Sequence, residues 1–136
     1  MRKKLFVGLL LMAFFCITAV ANAAVKSSEY IFDCYAKIAT YSGGRVTVSF
    51  DIQATGTMDV LGAQTIIIQE KAPGSSRWSS VATLSSDDYS NMLAYNRRSH
   101  NSDVSYYGGQ SGYSYRAKVY FYAEKGGYDT AEYIAD

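Results

Sequence analysis

Residues 112–127, GYSYRAKVYFYAEKGG, alternate so regularly that they constrain the fold more than any other stretch of the chain. The odd positions Tyr115, Ala117, Val119, Phe121 and Ala123 form one side, and Arg116, Lys118, Tyr120, Tyr122 and Glu124 form the other. A period of two over this length predicts a β-strand with one buried face. Glycines bound it at both ends, Gly108, Gly109 and Gly112 before it and Gly126 and Gly127 after, where turns must stop the strand. Such a strand needs a neighbour along each edge and an apolar layer beneath it. The expected fold class is therefore all-β, an antiparallel two-sheet sandwich.

The remaining segments supply the partners. Residues 30–40 read as a first strand with Phe32, Cys34, Ala36 and Ile38 on its apolar side, ended by Ser42-Gly43-Gly44. In residues 45–53, Val46, Val48, Phe50 and Ile52 alternate with Thr47, Ser49, Asp51 and Gln53. The run Ala54-Thr55-Gly56-Thr57 predicts a break, and 58–63 a connection or a short irregular strand. Ile66, Ile67 and Ile68, three adjacent β-branched residues, favour a strand over 64–70. Pro73-Gly74 marks a turn, after which 78–84 resumes as a strand with Trp78, Ala82 and Leu84 on one parity. Residues 85–103, rich in Ser, Asp and Asn, read as a long connection with a short strand or helical turn near 89–95. Short strands at 104–107 and 128–134 bring the expected count to about seven.

The first residues stand apart from this pattern. Arg2, Lys3 and Lys4 precede an apolar run over residues 5–20, and Ala21-Asn22-Ala23 then forms a small-x-small site. This predicts a signal peptide over residues 1–23, cleaved between Ala23 and Ala24, and a secreted single domain over 24–136. The rival, an uncleaved anchor, wants about 20 apolar residues before a polar boundary. Removing the three basic residues leaves 10 Lys+Arg against 12 Asp+Glu, a net charge of −2. That balance supplies no electrostatic footprint for nucleic acid and no reason for membrane insertion after cleavage. Cys34 becomes the one cysteine, so no internal disulfide is expected, and its parity predicts a buried core thiol.

The stretch GYSYRAKVYFYAEKGGYD resembles the penultimate strand of a fibronectin type III or related immunoglobulin-like domain. Val46–Phe50 (VTVSF) is similar to that family's second strand, and TIIIQEK with RWSSVATL to its third strand and partner. The family's core tryptophan on the second strand is replaced here, Phe50 being nearest. The resemblance implies a scaffold of seven strands without an active site. It also implies that Tyr115 anchors a corner, its hydroxyl bonded to backbone a few residues upstream.

Chemistry-bearing groups are sparse. A Cys–His dyad would need Cys34, on a strand, to meet His100, in a polar loop. Asp87, Asp88, Asn101 and Asp103 lack calcium-loop spacing, and His and Cys are too few for a zinc site. The expectation is a non-catalytic protein without cofactor or metal. The candidate binding surface is the outward side of the central strand, Arg116, Lys118, Tyr120 and Tyr122. There, outward tyrosines either cover neighbouring strands or form a platform for an extracellular glycan or protein. An exported effector or antibacterial protein is the alternative reading.

Overall fold

One strand, β2 (Arg45–Lys71), runs through the whole molecule. Straight, its 27 residues would span about 90 Å, several times the radius of gyration of about 13 Å expected for a domain of this size. It therefore has to bend. The computed structural model describes residues 29–136, and the expected leader lies outside them. Four strands pair with β2, namely β1 (Ile31–Tyr41), β3 (Ser79–Ser85), β4 (Leu93–Tyr106) and β5 (Ser114–Glu124), and β6 (Tyr128–Ala135) pairs with β5. All pairs are antiparallel, and the strands form a single six-stranded sheet that curls around its own apolar face.

The bend falls where a break was expected. On one edge of β2, pairing with β1 ends at Ala54 and pairing with β5 begins at Val60. On the other edge, β4 pairs across the bend, from Val46 to Gly62, with a register shift between Gln53 and Met58, and β3 follows from Thr65. Ala54-Thr55-Gly56-Thr57 is thus an irregularity within one strand rather than its end, because a continuous neighbour holds both sides of it. Such an irregularity bends the strand and raises its twist. The two arms of β2 are so turned that their apolar sides face each other. Phe50 of the first arm meets Phe121 of β5 edge-on, ring centres 6.1 Å apart. Val48, Ile52, Leu61, Ile66, Ile68, Val119 and Phe121 are fully buried between them.

Three further expectations are corrected. Residues 85–103 are mostly strand: after a single 3-10 turn at Ser90–Met92, β4 covers 14 residues and includes the short strand expected at 104–107. Much of β4 is exposed on both sides, so it carries no apolar period, and its pairing with β2 alone makes it a strand. Trp78 does not share the parity of Leu84. A register shift between Ile68 and Gln69, opposite Ala82 and Ser80, reverses the side chains before it, which turns Trp78 outward. Cys34 is half-buried, not buried. An irregularity between Ile31 and Asp33 leaves Phe32 77% exposed and Ile31 in the core, and Cys34 lies on an outer strand with only partial cover.

The remaining edges are closed by side chains. Asn91 Nδ2 donates to the Asp103 carbonyl (2.7 Å) and Ser102 Oγ (2.8 Å), capping part of the edge of β4, while Met92 is buried beneath. An open edge left bare would template association. Opposite, β1 and β6 meet without pairing. The Tyr30 amide donates to Asp129 Oδ2 (2.7 Å), its hydroxyl donates to the Lys125 carbonyl (3.1 Å), and Tyr35 packs edge-on against Tyr133.

Gly62 is required by this packing. A Cβ there would collide with the backbone carbonyl of Met92, where β4 enters the sheet. The colliding atoms are all backbone of Met92 and Leu93, so no flexible side-chain tip can yield.

Candidate functional site

The alternation of β5 survives intact. Tyr115, Ala117, Val119, Phe121 and Ala123 are buried, and Arg116, Lys118, Tyr120, Tyr122 and Glu124 are half-buried on the outward side. Register with the neighbours sets the rows across this face. Gln69 lies beside Arg116, and Ile67 and Ile134 flank Lys118. Thr65 and Glu132 flank Tyr120, and Gly62 and Thr130 flank Tyr122. From Arg116 to Tyr122 the strip is about 20 Å long at the ordinary rise of a strand.

Its two ends differ. At the start of β5, the Arg116 guanidinium lies 4.5 Å from the centre of the Trp78 ring, and Lys71 Nζ lies 5.0 Å from the same centre. Arg116 Nε donates to Gln69 Oε1 (2.7 Å), and Gln69 Nε2 donates to Ser80 Oγ (3.1 Å). The arginine is held in place by this chain while its two terminal nitrogens stay available. At the other end, Tyr122 stacks on Tyr128 (5.9 Å, 28°), and its hydroxyl donates to Glu124 Oε1 at 2.6 Å. That hydrogen bond to a carboxylate, helped by burial, pushes the Tyr122 phenol up to about 12. Between the ends, Lys118 and Tyr120 make no hydrogen bond, ion pair or ring contact among the described residues.

The four residues singled out from the sequence therefore lie together, in two states. Arg116 and Tyr122 are tied to neighbours; Lys118 and Tyr120 present untied polar tips. Trp78, Lys71 and Tyr128 belong to the same face and escaped sequence reasoning. The one signal for Trp78 was a lone tryptophan at the start of the strand expected after the proline-glycine turn, and only the register shift in β3 brings it to this side.

Tyr115 closes the bottom of β5. Its ring is buried, its hydroxyl accepts from the Gln110 amide (2.6 Å), and it donates to Glu70 Oε2 (2.9 Å). The bond to backbone five residues upstream is the one expected of a corner tyrosine. Burial raises its phenol above the ordinary value, and Glu70 adds to the rise.

The other candidate groups stay apart. Cys34 and His100 lie on the same cross-strand row with Ile52 between them, which separates the two backbones by roughly 10 Å at ordinary strand spacing. The thiol is pushed up, first by burial and then by Asp33, which favours its unreactive protonated form. The imidazole Nε2 bonds the Asn91 carbonyl oxygen (2.8 Å), and its ring meets Phe50 edge-on. Among the described residues no group of three or more His, Cys, Asp or Glu could hold a metal ion. No family model, curated protein or solved structure matches the chain.

Proposed function

We propose that the chain is a secreted, non-catalytic binding module whose outward β5 face holds an extracellular glycan. The observation that carries this reading is the strip itself. Aromatic rings stand at both ends (Trp78; Tyr122 with Tyr128), and Lys118 and Tyr120 between them are untied. A sugar ring offers C–H groups to an aromatic face and hydroxyls to a polar rim, and this strip supplies both. Backbone pairing along both edges of β5 keeps the strip rigid, so little order is lost on binding. A partner protein is the second reading, favoured by Ile134 and Tyr128, which are 47% and 68% exposed at the margin. Export is supported by the basic start, the apolar run and Ala21-Asn22-Ala23. Kinship with fibronectin type III or immunoglobulin-like sandwiches belongs to the same proposal, with the Tyr115 corner as its support.

The test is an array of extracellular glycans and surface proteins probed with the domain of residues 24–136 and with its Tyr120→Ser variant. Tyr120 has no polar partner to lose, so its stability should change by no more than about 0.5 kcal/mol. Lost binding at unchanged stability supports the strip as a binding surface. Unchanged binding by the variant, or no binding by the parent, rejects it.

A further inference from the structure

The strip is electrically lopsided, and the lopsidedness says which glycan it suits. Lys71, Arg116 and Lys118 occupy three successive rows at the start of β5, whereas Glu124 and Glu132 lie towards its end. Lys71 and Arg116 both approach one indole ring, at 5.0 and 4.5 Å from its centre. Their charges are thus no farther apart than about 10 Å, the screening length at 0.1 M salt. Like charges held this close repel, and cations on a sheet ordinarily relieve the repulsion with a facing carboxylate. None does so here: among the described residues, Arg116 bonds the neutral Gln69, and Lys71 and Lys118 bond no carboxylate. This occurs although the domain of residues 24–136 carries more acids than bases.

We propose that the Lys71–Arg116–Lys118 cluster beside Trp78 is a subsite for the acidic groups of a glycan, carboxylates or sulfates carried on the sugar rings. The inference rests on the reading of the strip as a glycan platform and adds the charge of its ligand. The free end of Arg116 accepts such an oxyanion through its two terminal nitrogens, a geometry fixed in advance by Gln69. Lys118, one outward position along, lies about 7 Å away along the strand and reaches a second acidic group. The Trp78 ring lies under both Lys71 and Arg116 and holds these two cations at one end of the subsite.

Two matched pairs of polymers test this: polygalacturonate against its fully methyl-esterified form, and dextran sulfate against dextran. Within each pair only the charge changes, and the two pairs separate carboxylate from sulfate. The expected result is affinity at least about tenfold higher for an acidic polymer than for its neutral partner, falling as salt is raised. Arg116→Gln with Lys118→Gln should remove that preference, so that each acidic polymer binds no more tightly than its neutral partner. Should the double variant lose its fold with the Gln69 bond, Lys118→Gln alone, which breaks no contact, should still weaken acidic binding severalfold. Equal affinity for acidic and neutral polymers would overturn the acidic subsite while leaving the glycan platform standing. Binding of none of the four would overturn the subsite and count against the platform as well.

Discussion

The molecule has two outer faces built by the same alternation, and they differ in chemistry. On the first arm of β2, the outward rows run Tyr35–Asp51–Asn101 and Lys37–Ser49–Asp103 across β1, β2 and β4. Short polar groups there bond one another: Thr47 Oγ1 and Ser105 Oγ are 2.8 Å apart, and Gln53 Nε2 donates to Asp51 Oδ1 (3.1 Å). On the second arm, the outward rows hold Trp78, Arg116, Lys118, Tyr120, Tyr122 and Tyr128. Parity decides which side chains leave the core; it does not decide what they do once outside. The first face has aromatics of its own, Tyr35 and a Tyr41 ring 4.2 Å from the Arg45 guanidinium. Its short polar groups, however, are satisfied by water at little cost, whereas the aromatic rings beside unpaired cations on the second leave apolar area and charge available to a ligand.

The largest expected effect tests whether the two faces belong to one body. Phe121→Ala removes the ring that meets Phe50 across the core and should cost about 3–5 kcal/mol. Denaturant unfolding followed by Tyr and Trp fluorescence should remain a single transition at lower midpoint. Two separate transitions would mean that each arm folds alone, and the comparison would then be between two domains.

Next comes the base of β5. Tyr115→Phe strands the Gln110 amide and removes a donor from Glu70, a loss of roughly 1–2 kcal/mol. An unchanged midpoint would mean that the hydroxyl does not hold the corner.

A smaller pair of variants contrasts the faces directly. Tyr122→Ser loses the stack on Tyr128 and should cost about 1 kcal/mol, while Asp51→Ser on the polar face should stay within about 0.5 kcal/mol. Equal costs would erase the distinction drawn between the faces.

The smallest effect is one of pH. Tyr122 keeps its proton to about 12 when folded, whereas an unfolded tyrosine ionises near its ordinary value of 10.0. The stability contributed by its bond to Glu124 is therefore complete below that ordinary value and is lost as pH rises from there to about 12. Phenolate absorbance should show a late-titrating component in the parent, and Glu124→Ala should shrink it by the share that belongs to Tyr122.

The central strand and its buried face were legible because a long two-residue period admits few other solutions, whereas the Tyr115 corner came only from the family resemblance. The continuity of β2 was not. Gly56 between two threonines has the composition of a turn, and only β4, over forty residues later, holds the strand together there. Strand β4 itself was hidden because an exposed strand needs no apolar period. Of the candidate site, the four β5 residues followed from parity. Trp78 did not, because one extra residue in β3 reverses its side, and backbone register leaves no mark on composition.

The length of β2 also sets an order in time. As the chain is synthesised, the second arm of β2 is finished early, yet its edge stays bare until residues 114–124 exist, and the ring of Phe50 waits for Phe121 until then. Local contacts alone cannot assemble half of this sheet, because its central strand is satisfied only by segments from both ends of the domain. Folding is thus deferred until nearly the whole chain is made, with the slowness that distant pairings impose.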